Sequence, residues 1–167
     1  MLGIFLDTEW VRIVLGTEDA SASVSFDDVV GARPEYAAAL RDIEDAIWNQ
    51  TLVSPTILEL CRLRIAQILG CAAALEYRTP RALADRFDEA LVDSLTLWPT
   101  SSSFDRRLRA CLGYAEQLLI DAQEVSDELC RAVIDEVGEG GFLVLTYACG
   151  LFETTQRARL VLGTVRW

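Results

Sequence analysis

The feature that most constrains the fold is an apolar stripe with helical spacing that stops at a glycine. Apolar residues recur there at intervals of three and four, which predicts one buried face of an α-helix. Ser54 and Pro55 precede the stripe and are typical of a helix N-cap and first turn. Gly70 follows it and predicts a break in the helix. The residues of the stripe are Leu58, Cys61, Ile65, Ile68 and Leu69.

The chain beyond Gly70 decides whether polar groups in this region can meet. In one straight helix, Glu59 and Cys71 would lie roughly 18 Å apart along the axis. If the chain instead reverses at Gly70, Cys71 begins a second helix and folds back towards Glu59. Cys71, Ala74 and Arg78 would then share a face of that second helix. A thiol at a helix N-terminus is the reactive kind.

Patterns elsewhere predict further helices and no strand. Residues 1–16 have no clean period, and residues 17–32 are rich in Ser and Asp, which predicts a loop. The prediction is an all-α orthogonal helical bundle of about six to eight helices, with residues 1–33 as an extension that packs on a domain of residues 34–167. The first expected helix runs from Pro34 to about Gln50, with the apolar stripe Tyr36, Leu40, Ile43 and Ile47. The next ones are a short turn from Thr79 and helices from Asp88 to Leu97, from Ser103 to Asp121 and from Ser126 to about Val137. After a break at Gly138–Gly141, the last helix runs from Phe142 to Leu162, with Gly163 as its C-cap.

Composition limits the partners. The 167 residues suggest one domain, and an apolar content of 51% suggests that some apolar surface meets another subunit in a homo-oligomer. Fifteen Lys and Arg against 26 Asp and Glu give a net charge of −11. This balance disfavours nucleic acid and anionic membranes, because both are bound through basic patches. The longest apolar run, residues 142–152, is too short to span a bilayer, and the N-terminus lacks the basic start of a signal peptide.

Five cysteines are widely spaced, and the chain has no histidine. No disulfide framework and no zinc spacing is present, so we expect reduced thiols, no metal and no cofactor. Reduced thiols favour a cytoplasmic location.

Four stretches resemble the carboxymuconolactone decarboxylase and alkylhydroperoxidase D superfamily: SPTILELCRLRIAQILGC (residues 54–71), RTPRALA (78–84), FDRRLRACLGYAEQLL (104–119) and VSDEL (125–129). The resemblance covers roughly residues 34–163. It implies the alkylhydroperoxidase D-like helical bundle, assembled as a trimer or hexamer.

The resemblance also implies a site, with an altered motif. Its peroxidase branch has a glutamate, a Cys-x-x-Cys that begins twelve residues later, and a histidine seven residues beyond the first cysteine. Glu59 and Cys71 match the glutamate and the first, resolving cysteine. Ala74 stands at the second, peroxide-attacking cysteine, and Arg78 stands at the histidine. The peroxidase reaction of the family is therefore disfavoured.

The candidate site residues are Glu59 and Cys71 for catalysis, with Arg78 and Gln67 for substrate binding. Each has a plainer interpretation: Glu59 could be a solvated partner of Arg62 three residues on, Cys71 could be packing, and Arg78 could be a surface residue. An arginine here would favour an anionic small molecule, since a guanidinium binds carboxylates bidentately.

Three functional classes follow. The first, which we favour, is a lyase- or isomerase-type small-molecule enzyme that uses general acid–base chemistry around Glu59, in a pathway that could belong to specialised metabolism. The second is a single-cysteine peroxidase-like antioxidant protein that uses Cys71. The third is a non-catalytic oligomeric binding protein.

Overall fold

The computed structural model describes residues 25–85 and 87–162, and within those ranges it contains helices and no strand. The predicted all-α fold is confirmed. The helices are α1 Phe26–Gly31, α2 Pro34–Asn49, α3 Pro55–Leu69, α4 Ala72–Glu76, α5 Pro80–Ala84, α6 Glu89–Asp93, α7 Arg106–Ile120 and α8 Asp127–Leu162, with 3₁₀ turns at Leu95–Leu97 and Ala122–Glu124.

Helix α3 is the centre of the bundle. Ser54 caps it through a hydrogen bond from the Ile57 N–H (3.3 Å), as its sequence predicts. It packs against α7 and α8 on one side and against α4 and α5 on the other. Because neighbours surround it, every residue from Ile57 to Ala66 except Arg64 is buried, which is more than a single stripe. The predicted stripe is wrong at Ile68, which is 37% exposed where those neighbours end.

The chain reverses after α3, as predicted. Gly70 adopts the left-handed conformation (φ 69°), and the Cys71 N–H donates to the Ala66 carbonyl (3.0 Å). This is the C-terminal arrangement that glycine permits. The second helix is shorter than expected and ends at Glu76, so Arg78 lies beyond it and does not share its face with Cys71.

Three other boundaries differ from the predictions. Residues 26–31 form α1 instead of a loop, because Ser25 and Asp28 make reciprocal hydrogen bonds that cap its first turn. The helix expected from Ser103 begins at Arg106, since Asp105, an equally good N-cap, accepts from the Leu108 N–H at 2.8 Å. The helix expected from Asp88 to Leu97 divides into α6 and a 3₁₀ turn.

Helix α2 spans the predicted residues but presents a different face. Tyr36 and Ile43 of the predicted stripe are 59% and 44% exposed. The helix contacts α1 and α8, and the face that it turns inward includes Ala37, Ile47 and a carboxylate, Glu44. Apolar periodicity alone therefore selected a face rotated from the buried one.

Helix α8 has 36 residues and a kink at Gly138 (φ 75°, ψ 170°), a conformation essentially restricted to glycine. The break predicted at Gly138–Gly141 is thus confined to its first residue. Gly141 is helical, and only a residue without a side chain fits there, because a Cβ at this position would lie 2.8 Å from Val137 Cβ. The Ser126 hydroxyl accepts from the Leu129 N–H (3.2 Å), as expected of the predicted cap.

Gly163 and residues 1–16 lie outside the described residues, and the domain boundary at residue 33 stays a prediction. Within the part of the chain that the structure describes, no helix is long and apolar enough to cross a bilayer.

Candidate functional site

A buried ion pair lies where α4 folds back on α3. Glu59 is 0% and Arg62 is 1% exposed. The guanidinium binds the carboxylate through two hydrogen bonds, Nε to Oε2 at 3.0 Å and Nη2 to Oε1 at 2.6 Å. The Thr79 hydroxyl also donates to Glu59 Oε2, at 2.9 Å. Both carboxylate oxygens are therefore held by protein donors, and the pairing with Arg62 is buried instead of solvated.

Arg62 also ties the reversed chain to α3. Its guanidinium donates to the carbonyls of Ala74 and Tyr77, each at 2.8 Å. Cys71 is 2% exposed and packs with Ala66 and Ala74 beside this network. The reversal thus brings Glu59 and the segment that contains Cys71 together, as the sequence predicted.

The two predicted substrate-binding residues lie elsewhere. Arg78 pairs bidentately with Glu89 (2.8 and 2.9 Å) and donates to the Leu75 carbonyl (2.6 Å). Gln67 accepts a hydrogen bond from Arg64 at 3.1 Å. Neither is among the residues that line the described cavities. No observation tests their roles, which stay predictions.

An open cavity of about 860 Å³ lies between α1, α2, the segment that joins α4 to α5, and α8. We call it the outer chamber. Its size is in the usual range of small-molecule sites. Its lining mixes apolar residues with both charges: Phe26, Asp27, Val30, Ala37, Leu40, Arg41, Glu44, Asp45, Trp48, Asn49, Tyr77, Thr79, Pro80, Arg81 and Arg159.

A second, much smaller space adjoins it, which we call the inner chamber. It measures about 20 Å³, enough for roughly one water-sized group. Glu44, Trp48 and Thr79 line both chambers. The other lining residues of the inner chamber are Arg62, Leu151, Phe152, Thr155 and Gln156.

Two of the charged side chains on the wall of the outer chamber, Glu44 and Arg159, have shifted pKa values. Burial raises the pKa of Glu44, and the charge of Arg159 opposes that shift. Burial lowers the pKa of Arg159, while Asp27 counteracts this effect. The guanidinium lies over the Phe26 ring, 4.1 Å from its centroid, which stabilises a cation in partly apolar surroundings. The cavity thus holds a carboxyl group whose pKa lies above that of an exposed glutamate, near a buried cation.

Glu44, Gln156 and Arg159 were not selected from the sequence, although each left a signal. Glu44 is a carboxylate within the inward face of α2. Gln156 and Arg159 interrupt the buried face of α8, which otherwise carries Leu145 and Phe152. A polar side chain on an otherwise apolar face is costly unless it has a partner or a function, and this test would have selected Gln156 and Arg159. For Glu44 the test needs the inward face of α2, which apolar periodicity placed incorrectly.

The thiols differ in setting. All five cysteines are free. A hydrogen bond with Cys149, together with burial, raises the pKa of Cys61 well above its ordinary value, and burial raises the pKa of Cys111 to about 12. These two thiols are therefore poor nucleophiles. Among the described residues, no group of three or more Cys, Asp or Glu side chains is arranged to hold a metal ion.

Comparison with solved structures identifies the architecture. The chain is similar to the crystal structure of ATU0492 from Agrobacterium tumefaciens, a protein of unknown function proposed to be the antioxidant defence protein AhpD. The TM-score is 0.72 at 21% sequence identity, over 83% of this chain and 94% of that chain. This chain has the AhpD-like fold. The resemblance seen in the sequence is supported at the level of the fold.

Sequence comparison adds a relative without an assigned activity. The chain is 24% identical over 131 residues to the uncharacterized protein YdfG of Bacillus subtilis (strain 168). The matched region covers 78% of this chain and 88% of YdfG. No protein-family model matches the chain.

Proposed function

We propose that the protein is a lyase- or isomerase-type small-molecule enzyme that uses general acid–base chemistry in the outer chamber, with Glu44 as the group that moves the proton. The observation that carries the proposal is a carboxyl group with a burial-raised pKa on the wall of a cavity of about 860 Å³. A carboxyl group with a raised pKa is better suited than an exposed one to accept and return a proton.

The proposal assigns a supporting role to Glu59. Its two oxygens bind Arg62 and Thr79, and it is absent from the lining of both described chambers. Glu59 therefore acts as a positioning residue that fixes Arg62 and, through Arg62, the carbonyls at residues 74 and 77. Glu44 lines both chambers and has the access to ligand that Glu59 lacks.

Arg159 suggests the charge of the substrate. It is 4% exposed and lines the outer chamber. A guanidinium offers planar, bidentate binding to a carboxylate. We therefore propose a small substrate with an acidic group that binds near Arg159, next to the Glu44 carboxyl group.

Deuterium labelling tests the proposed proton transfer. A lyase or isomerase of this type removes a proton from carbon or delivers one to it, so turnover in D₂O places deuterium in a product. We expect the protein, incubated with a bacterial metabolite extract in D₂O, to label at least one small acid by mass spectrometry. Glu44→Gln should reduce the labelling by about 10²–10⁴-fold, whereas Asp42→Asn, an exposed change on the same helix, should not.

The other two classes give different results in the same experiment. A non-catalytic binding protein labels nothing. A single-cysteine peroxidase labels nothing and instead consumes alkyl hydroperoxide. We expect negligible hydroperoxide consumption here, because Cys71 is 2% exposed and Ala74 occupies the position of the attacking thiol. Hydroperoxide turnover that Cys71→Ser removes would favour the peroxidase.

We also propose that the protein is a homo-oligomer. The described part of α8 exposes large apolar side chains: Leu143 (58%), Tyr147 (65%), Leu160 (40%) and Val161 (64%). Apolar surface of this kind is often covered by a second subunit. Light scattering should report a mass that is a multiple of 18.5 kDa, and a monomer at micromolar concentration would contradict the proposal.

A further inference from the structure

The side-chain amide of Gln156 is fixed in an unusual setting. Gln156 is 1% exposed, and its Nε2 donates to the Arg62 carbonyl at 3.0 Å. That hydrogen bond orients the amide and directs its other end, Oε1, away from Arg62. Among the residues that the structure describes, none donates to Gln156 Oε1. Nearly all buried acceptors in native proteins have a partner, because an unpaired one is costly.

The inner chamber offers room for that missing partner. Gln156 lines the chamber, whose volume of about 20 Å³ suits one oxygen-sized group. A carboxylate group, with two oxygens, is too large for it. The chamber is thus matched in size to a hydroxyl group or a single water molecule.

The polar groups of the chamber favour a hydrogen-bond donor. Gln156 Oε1 can only accept. The proton of the Thr79 hydroxyl is already donated to Glu59 (2.9 Å). The remaining wall combines the apolar side chains of Leu151 and Phe152 with the donor-bearing side chains of Trp48, Arg62 and Thr155. The unpaired Gln156 Oε1 itself needs a partner that brings its own proton, such as a hydroxyl group.

We propose that the inner chamber is a subsite for one substrate hydroxyl, which donates its hydrogen bond to Gln156 Oε1. The inference deepens the proposed function and rests on it for the acidic end of the substrate at Arg159. Gln156 and Arg159 are three residues apart on α8, so their Cβ atoms are roughly 5–6 Å apart. The substrate class is accordingly a short hydroxy acid. Its hydroxyl group lies in the inner chamber, its carboxylate lies in the outer chamber at Arg159, and the carbons between them lie next to Glu44.

Matched ligands test the hydroxyl directly. The probes are 3-hydroxypropanoate, 5-hydroxypentanoate and 6-hydroxyhexanoate, each compared with the acid that has a methyl group in place of the hydroxyl: butanoate, hexanoate and heptanoate. Titration calorimetry should give at least one hydroxy acid that binds about tenfold more tightly than its methyl partner, as expected when a buried acceptor is left unpaired. Equal affinity within every pair, tighter binding of the methyl acids, or no binding of any probe would overturn the proposal.

Variants then assign the preference to one atom. Gln156→Met keeps the length of the side chain and removes the acceptor, so it should abolish the preference. Gln123→Met makes the same change at an exposed site and should retain it. A preference that survives in a folded Gln156→Met protein overturns the assignment. If that variant does not fold, the wild-type comparison of matched acids still decides.

A crystal structure of the complex separates a ligand subsite from a structural water. The ligand hydroxyl should occupy the inner chamber within hydrogen-bond distance of Gln156 Oε1. A water that stays there while the hydroxy acid binds outside would overturn the proposal. These measurements need no turnover, so their failure leaves the acid–base proposal standing. Conversely, a Glu44→Gln protein that has lost deuterium labelling can still prefer hydroxy acids.

Discussion

Glu59 and Glu44 each lie near a buried arginine, Arg62 and Arg159 respectively, but their surroundings differ in nearly every physical respect. Glu59 is fully buried, contacts Arg62 through two hydrogen bonds and accepts a third from Thr79. Glu44 is partly exposed, lines a cavity, and has a pKa raised by burial, with Arg159 only partly opposing the shift.

This contrast distinguishes a carboxylate that stabilises the fold from a carboxyl group that can take part in catalysis. A buried carboxylate whose two oxygens are both hydrogen-bonded to protein donors has no access to a ligand, and its removal leaves a buried cation. A carboxyl group that is desolvated but incompletely paired can change its protonation state with a ligand. We expect the residue at the motif position, Glu59, to act structurally in this protein and Glu44, on α2, to carry the proton chemistry. The catalytic role predicted for Glu59 from the sequence stays a prediction.

The largest expected effect is on stability, when the Glu59 pair is broken. Glu59→Ala leaves Arg62 buried without its carboxylate, so we expect a loss of about 3–5 kcal/mol in the free energy of unfolding and a fall of roughly 10 °C in Tm. Chemical denaturation and calorimetry measure both. The matched control is Glu153→Ala, which removes the exposed partner of Arg157 (2.8 Å) and should change stability by less than about 1 kcal/mol.

A double variant sharpens this prediction. Glu59→Leu combined with Arg62→Met removes both charges, so it should be less destabilising than the sum of the two single variants. It should not restore full stability, because the Ala74 and Tyr77 carbonyls lose their donor. Additive single effects would mean that the two side chains do not act as a pair.

A variant with an effect of intermediate size, Arg78→Ala, tests whether Arg78 binds substrate or is a surface residue that stabilises the fold. Arg78→Ala removes the bidentate pair with Glu89 and the bond to the Leu75 carbonyl, so we expect a loss of about 1–2 kcal/mol in stability. Glu89→Ala removes the same pair and leaves the arginine in place. We expect both variants to bind ligand within about twofold of wild type. A selective loss of binding in Arg78→Ala alone would restore its predicted substrate role.

The smallest effect is the pH dependence of Glu44. A raised pKa means that the folded protein keeps the Glu44 proton to higher pH than the unfolded chain, whose value is near 4.5. Glu44 therefore reduces stability as the pH rises through and beyond that range. Glu44→Gln should raise Tm by at most about 3 °C at pH 7, and by less at pH 4. Destabilisation at pH 7 would show that attraction to Arg159 outweighs desolvation.

The sequence predicted the fold better than the site, for reasons that particular residues show. Ser54, Gly70 and the stripe on α3 act within a few residues, so the helix and its reversal could be predicted locally. The pairing of Glu59 with Arg62 was also local, but its burial was not, because it depends on α4, α5 and α8. The cavity lies between the consecutive helices α1 and α2 and helix α8, which is far from them in sequence, and only their packing turns Glu44 and Arg159 towards one space.

The kink at Gly138 makes the position of the far end of α8 sensitive to small changes in tilt. Gln156 lies about 27 Å along the helix from the kink, at about 1.5 Å per residue, so a tilt of about 5° there would move the far end by roughly 2 Å. Functional groups must be held within about 0.5 Å of their working geometry. An added Cβ at Gly140 would lie 3.0 Å from Leu52, and one at Gly141 would lie 2.8 Å from Val137, so these two side chains limit how the helix can tilt beyond the kink. Ligand affinity should therefore be sensitive to side-chain volume at Leu52 and Val137, although neither residue lines the described chambers.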